Sequence, residues 1–299
     1  YNPGGSPLAI HAPWIVNRVS TVNARTPLDE NLKTQFEDQF VVGGEYQFLG
    51  VWTLGARYVD RSLKRVVEGI GTFTNPADPL ALTGFVVANP GEGFFGAKFD
   101  PPQRHYRALE ITVQKALANH WHLMSSFVYA RSMGNHEGLY QSGNSQLDPN
   151  LTALYDIPSF IPNALGRLRA DKPYQAKVYS AYTTSWGLTL SEGLQASAGV
   201  PLSALGPEIV NGYVDGTIFM LPRGTSGRTP PYWSVDVHAD YKIPVPFGAH
   251  RSLSVVLDVF NLFNRHAVLD VDQNFIFEGM PGIALWEAKE YLDIFGNPK

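Results

Sequence analysis

The stretch Trp233-Ser-Val-Asp-Val-His-Ala-Asp-Tyr-Lys-Ile243 alternates without a break. Trp233, Val235, Val237, Ala239, Tyr241 and Ile243 are apolar, and Ser234, Asp236, His238, Asp240 and Lys242 between them are polar. Successive side chains of a β-strand point to opposite faces, so this segment separates a greasy environment from a wet one. The same period of two recurs at 36–48, 52–58, 107–117, 121–129, 174–182, 188–200 and 253–259, where Val256 and Phe260 interrupt the pattern. Helical periodicity is nearly absent. The reading is therefore all-β, with eight candidate strands. Most are about ten residues or longer, whereas a soluble strand averages ~5–6 and a tilted membrane strand needs ~9–11.

The connections sharpen this. Those at 49–51, 118–120, 183–186 and 244–248 are short. Those at 67–103, 132–171 and 202–230, and the stretch from 267 to the end, are long and rich in Gly, Pro and Asn. Strict alternation of short and long is the asymmetry of outer-membrane barrels. Phe48, Trp52 and Trp121 sit beside short turns, and Tyr58, Tyr129 and Trp233 near the opposite strand ends, as two membrane interfaces would select.

Composition agrees. Hydrophobic residues are 44% of the 299 and charged residues only 17%, below the roughly 25% of a soluble domain. No run reaches the ~20 apolar residues of a spanning helix; the richest, Leu80 to Ala88, holds Thr83 and Gly84. A closed barrel is then the remaining way across a bilayer. A net charge of −4 without a basic stripe argues against a nucleic-acid partner. With no cysteine there is no disulfide, thiolate site or cysteine nucleophile. The chain opens at Tyr1 without Met or signal peptide and reads as a processed chain or a fragment.

Several stretches resemble the TonB-dependent outer-membrane receptors. Arg107-Ala-Leu-Glu-Ile-Thr-Val-Gln-Lys-Ala116 followed by Trp121-His-Leu-Met-Ser-Ser-Phe-Val-Tyr-Ala-Arg-Ser132 looks like one of their barrel hairpins. Gly134-Asn-His-Glu-Gly-Leu-Tyr140 with Asp148-Pro-Asn150 is similar to the next loop of the Oar-like branch, whose members carry a carboxypeptidase-regulatory-like domain. The 224–230 segment, then a strand, then Leu257-Asp-Val-Phe-Asn-Leu-Phe-Asn264 resembles the penultimate strands. The likeness covers about 36–268. It implies an up-and-down transmembrane antiparallel β-barrel in the bacterial outer membrane. It also implies ligand uptake, with TonB acting through an N-terminal plug. The family barrel has about 22 strands. Residues 1–299 are thus read as one barrel segment, with the plug and the closing aromatic strand missing; the chain stops at Asn297-Pro298-Lys299.

Covalent chemistry is not expected. There is no Gly-x-Ser-x-Gly, phosphate-binding glycine loop or His-Glu-x-x-His, and no enzyme activity, cofactor or metal is assigned. His120 and His122, two apart at a turn, lack a third ligand and read as structural. Asn144, Gln146, Asp148 and Asn150 offer oxygens of the type Ca²⁺ takes, but without the glycine and terminal Glu of an EF-hand; they read as a solvated loop. Ligand contacts are expected from the long loops, at Tyr140, Gln141, Asn144, Asn211, Tyr213, Asp215 and Arg223. Arg57, Glu110, Asp236 and Asp258 are expected to line the lumen or face a plug. If Leu117 faces Trp121 across the 118–120 turn, Arg107 falls opposite Arg131 on the lipid side near the external end. Like charges so placed repel. Lipopolysaccharide phosphate would reverse the sign, because Arg grips phosphate as a fork. Two other readings stay open: a passive porin or small adhesive barrel, and a secreted β-sandwich that binds carbohydrate.

Overall fold

A computed structural model of the chain describes residues 27–75, 82–91, 99–138, 152–207, 217–244, 253–271 and 273. The alternating segments form one antiparallel wall, built from β1 (Phe36–Phe48), β2 (Trp52–Lys64), β5 (Arg104–Ala118), β6 (Trp121–Gly134), β8 (Tyr174–Thr183), β9 (Leu188–Ser197), β12 (Tyr232–Ile243) and β13 (Leu253–Val259). They pair in that order, each with its neighbour in the chain, and the wall is not closed. The long connections hold five shorter strands: β3 (Glu68–Phe73), β4 (Leu82–Ala88), β7 (Gly166–Arg167), β10 (Leu205–Pro207) and β11 (Thr217–Phe219).

Register places every residue on a face. Val237 pairs with Val259, Ala239 with Leu257 and Tyr241 with Val255, so the apolar set of 233–243 continues across β13. That side looks away from protein: Leu253, Val255 and Leu257 are 53%, 58% and 62% exposed. A soluble sandwich would bury these side chains between its sheets. The outward face carries aromatic clusters at the short-turn end. Phe48 stacks on Trp52 at 6.2 Å, Trp52 meets Trp121 edge-on at 5.7 Å, and Trp186 meets Tyr241 at 5.7 Å. At the other end Tyr58, Leu109, Tyr129 and Tyr174 form one cross-strand row. Two aromatic levels with aliphatic residues between them fit a bilayer slab.

The 118–120 turn is tighter than expected. Its two central residues, Asn119 and His120, both have positive φ (53° and 64°), and Ala118 pairs with Trp121. Positive φ at both centres is a type I′ hairpin turn, whose twist matches the strands. An irregularity between Lys115 and Ala118 absorbs the extra residue, so Ile111 still faces Phe127 and Arg107 still faces Arg131. Lys115 stabilises this bulge: its buried Nζ donates to Ala118 O and Trp121 O, each at 2.7 Å.

The described parts of the three internal long connections pack on one another as a loop layer with its own core. The 82–88 stretch, inside the apolar run noted above, pairs with β3. Ile70, Val86, Phe99, Tyr155, Phe160, Leu205 and Phe219 are buried together, bringing all three internal long connections into one cluster. Gly71 passes so close to Asp156 that a Cβ would lie 1.9 Å from its carbonyl oxygen. Segment 27–35 also docks here. Leu28 bridges Val87, and the buried Asn89 side chain accepts from Lys33 N–H (2.7 Å) and donates to Lys33 O, Arg65 O and Val66 O. On the inner side of the wall Val59, Ala108 and Ala130 are buried against one another.

Candidate functional site

The expected lumen residues all sit on the inner face, and each has a protein partner. Arg57 and Glu110 are register partners on β2 and β5 and form an ion pair. Asp258 is 2.7 Å from His238 Nδ1 across the β12–β13 pair. Asp236 accepts the backbone N–H of Asn261 at 2.7 Å, which holds the Asn261-Leu-Phe-Asn264 turn against the end of β12. Asn261 and Asn264 both have positive φ (49° and 48°), a backbone state Asn tolerates better than most residues. His122 is the first inner-face residue of β6, and His120 lies in the turn. Among the described residues no group of three His, Cys, Asp or Glu converges as metal ligands would.

On the outward face the Arg107–Arg131 pairing is present. The repulsion inferred from it is corrected by a third residue. Asp60 pairs with Arg107 from the other side, and its carboxylate is 2.9 Å from Arg107 Nε. The counter-charge comes from β2, outside the β5–β6 hairpin. Arg131 is exposed and has no ion-pair partner among the described residues.

Of the expected ligand contacts, Arg223 lies in the loop layer. Tyr140, Gln141, Asn144, Asn211, Tyr213 and Asp215 fall outside the described residues, as do Gln146, Asp148 and Asn150. Arg223 is only 4% exposed. Its Nη2 pairs with Glu137, and its guanidinium stacks 4.7 Å over the Phe219 ring. Burial lowers its pKa, and the Glu137 charge opposes that shift. Glu137 also accepts the Arg169 backbone N–H at 3.1 Å, and Arg169 pairs with Asp270. Arg167 on β7 stands beside Gly224 (φ 73°), where a Cβ would be 2.7 Å from the Arg167 Cβ. The 166–169 segment and the 222–224 turn thus bring Arg167, Arg169 and Arg223 around a cavity of about 30 Å³, which Glu137, Ser203 and Gln273 also line.

A second polar group is sealed in the same layer. Glu68 and His136 are 0% and 1% exposed, with Nδ1 and Oε2 3.8 Å apart. That is too long for a hydrogen bond. Burial pushes the Glu68 carboxyl up to about 8, although Thr152 and Gly69 N–H groups donate to it. Burial, then the charges of Arg104 and Arg223, push His136 down to about 4.

A wall greasy outside and wet inside, with its long connections gathered in one layer, is a segment of a transmembrane β-barrel of the outer membrane. No family model matches the sequence. The TonB-dependent transporter Oar of Myxococcus xanthus is 32% identical over 254 residues, which are 84% of this chain and 23% of Oar. The chain therefore spans about a quarter of the length of that relative. The outer membrane transporter YddB from Escherichia coli superimposes with a TM-score of 0.51 at 13% identity, over 82% of this chain and 31% of YddB, and shares the fold. The chain belongs to the TonB-dependent outer-membrane receptors, as part of an Oar-like barrel.

Arg167, Arg169, Ser203 and Gln273 went unremarked in the sequence, and Glu137 stood out only as part of the 134–140 stretch. One signal was available: in a chain only 17% charged, Arg167-Leu-Arg169 directly follows a glycine within a long connection.

Proposed function

We propose that the whole protein takes up a ligand across the outer membrane, capturing it at the loop layer before TonB, acting through a plug, drives entry. The observation that carries this is the outward apolar wall with the described parts of its three internal long connections gathered at one end. The likeness to Oar supports it. Residues 1–299 are one barrel segment in this reading, and the paired lumen charges Arg57–Glu110 and His238–Asp258 face the plug. Tyr140, Gln141, Asn144, Asn211, Tyr213, Asp215 and Arg223 are the proposed ligand side. The test is uptake of a panel of ferric siderophores, cobalamin, oligosaccharides and peptides. Deleting the receptor gene is expected to abolish uptake of one compound class, and deleting TonB to abolish the same class. Uptake that needs the receptor but ignores TonB would instead favour a passive pore.

The external rim of the wall is proposed to contact lipopolysaccharide through Arg107 and Arg131. Both stand one step beyond the Tyr58–Tyr129–Tyr174 row, at headgroup level. Because Asp60 already engages Arg107, Arg131 is the stronger contact. An Arg131→Gln variant is expected to weaken lipid A retention by about tenfold, the equivalent of ~1.4 kcal/mol. Arg107→Gln is expected to have a smaller effect. Phosphate analysis of purified receptor measures both, and unchanged lipid A in the double variant would reject the contact.

A further inference from the structure

We infer that the cavity framed by Arg167, Arg169 and Arg223 binds an oxyanion, a carboxylate or phosphate group of the ligand. The inference rests on the uptake reading and gives it a chemical class.

Arg223 Nη1 and Arg169 Nη1 are buried N–H groups with no partner, and both residues line the cavity. Arg223 is nine-tenths buried and more, so water does not solvate this donor from outside. Ser203 Oγ accepts from Gly224 N–H at 3.0 Å, which leaves its own hydroxyl proton to donate. Arg167 lines the same space, is exposed, and has no carboxylate partner among the described residues. Two acceptor oxygens at the site are already used. Glu137 Oε1 takes Arg223 and the Arg169 N–H, and Gln273 Oε1 takes Ser203 N–H at 2.7 Å. Three guanidiniums stand against two carboxylates, Glu137 and Asp270. A site with surplus donors and surplus positive charge is complemented by an anion that only accepts. Buried unpaired N–H groups are costly, so a ligand that fills them gains affinity. The cavity's 30 Å³ suits a head group rather than a whole ligand.

The test uses the full-length receptor in detergent, titrated calorimetrically with sodium acetate and with inorganic phosphate at constant ionic strength, chloride being the reference anion. Saturable binding of one anion per receptor is expected. Acetate alone would assign a carboxylate, phosphate alone a phosphate group, and both the general oxyanion. Arg167→Gln changes an exposed side chain and is expected to weaken binding tenfold or more while heat-modifiability on gels stays wild-type. Ser203→Ala is expected to weaken it less. No saturable binding of either anion would overturn the inference. So would binding that neither substitution alters, since the anion would then sit elsewhere. TonB-dependent uptake that persists without anion binding rejects this site alone. Anion binding without TonB-dependent uptake rejects the uptake reading and leaves the site standing.

Discussion

Truncating Arg228 to Met is expected to loosen the loop layer by about 3–5 kcal/mol, the cost of stranding a buried charge. Arg228 Nη1 donates to Asp171 O (2.5 Å) and Gly199 O (3.0 Å), and Nη2 pairs with the Asp171 carboxylate. The Asp171 side chain is 3% exposed, and its other oxygen accepts Ser132 N–H at 2.7 Å. One arginine thus ties the end of β6, the 168–173 turn and the 199–201 segment together. Met fills much of the space but leaves the carboxylate with one donor and no counter-charge. Hydrogen exchange of the 164–171 and 199–205 amides in the full receptor reads the effect, because local opening samples the layer without unfolding the barrel. Adding Asp171→Asn is expected to recover most of the loss. The amide removes the charge, and its oxygen still accepts from Ser132. Unchanged exchange in Arg228→Met would show that the layer is held by its apolar core alone.

Where sequence periodicity worked, it worked because a membrane wall imposes two unlike environments on alternate residues. The 233–243 and 253–259 segments lie inside that slab. Beyond it the signal fades while pairing continues. β2 extends to Lys64, but Val59 points inward and Asp60 outward, the reverse of the pattern below them. At that height one side faces headgroups and the other faces the loop layer, so burying Val59 beneath the loops and exposing Asp60 to Arg107 both make sense. The same holds for β5 and β6, which extend to Arg104 and Gly134.

The loop layer was illegible for a different reason. Ile70, Tyr155 and Phe219 meet from connections far apart in the chain, and no local period encodes such a meeting. The run 82–88 was visible as apolar but not as β4, because its partner is a separate short strand. The candidate site shares this fate. Arg223 was readable as one polar loop residue, but its value comes from Glu137, 86 positions away, and from the two arginines of 166–169. The Arg107–Arg131 pair was found because a hairpin is local. Asp60, 47 residues from Arg107, was missed because it is not.

The second large effect is a pH optimum for the loop layer, set by two buried groups of opposite sign. Glu68 has its folded pKa raised from 4.5 to about 8. Its contribution is fully present below pH 4.5 and is lost as pH rises through 8, because ionising it strands a charge among Tyr155, Asp156 and the apolar core. His136 has its folded pKa lowered from 6.5 to about 4. Its contribution is present above 6.5 and is lost as pH falls through 4, where a third cation would join Arg104 and Arg223. Each group changes stability by ~1.4 kcal/mol per pH unit inside its own window. Between 4.5 and 6.5 the two slopes cancel, and from 6.5 to 8 only Glu68 acts. The layer is therefore expected to be most stable on a plateau at pH 4.5–6.5 and to lose about 2 kcal/mol by pH 8. Intrinsic-rate-corrected hydrogen exchange of the 68–73 and 154–161 amides at pH 5.5 and 8.5 measures it. Glu68→Gln keeps an acceptor for Thr152 N–H and cannot ionise, so it should flatten the alkaline limb while leaving the fall at low pH. Equal corrected protection at both pH values in the unmodified receptor would mean that Glu68 is already charged and solvated at neutral pH, which its 0% exposure argues against.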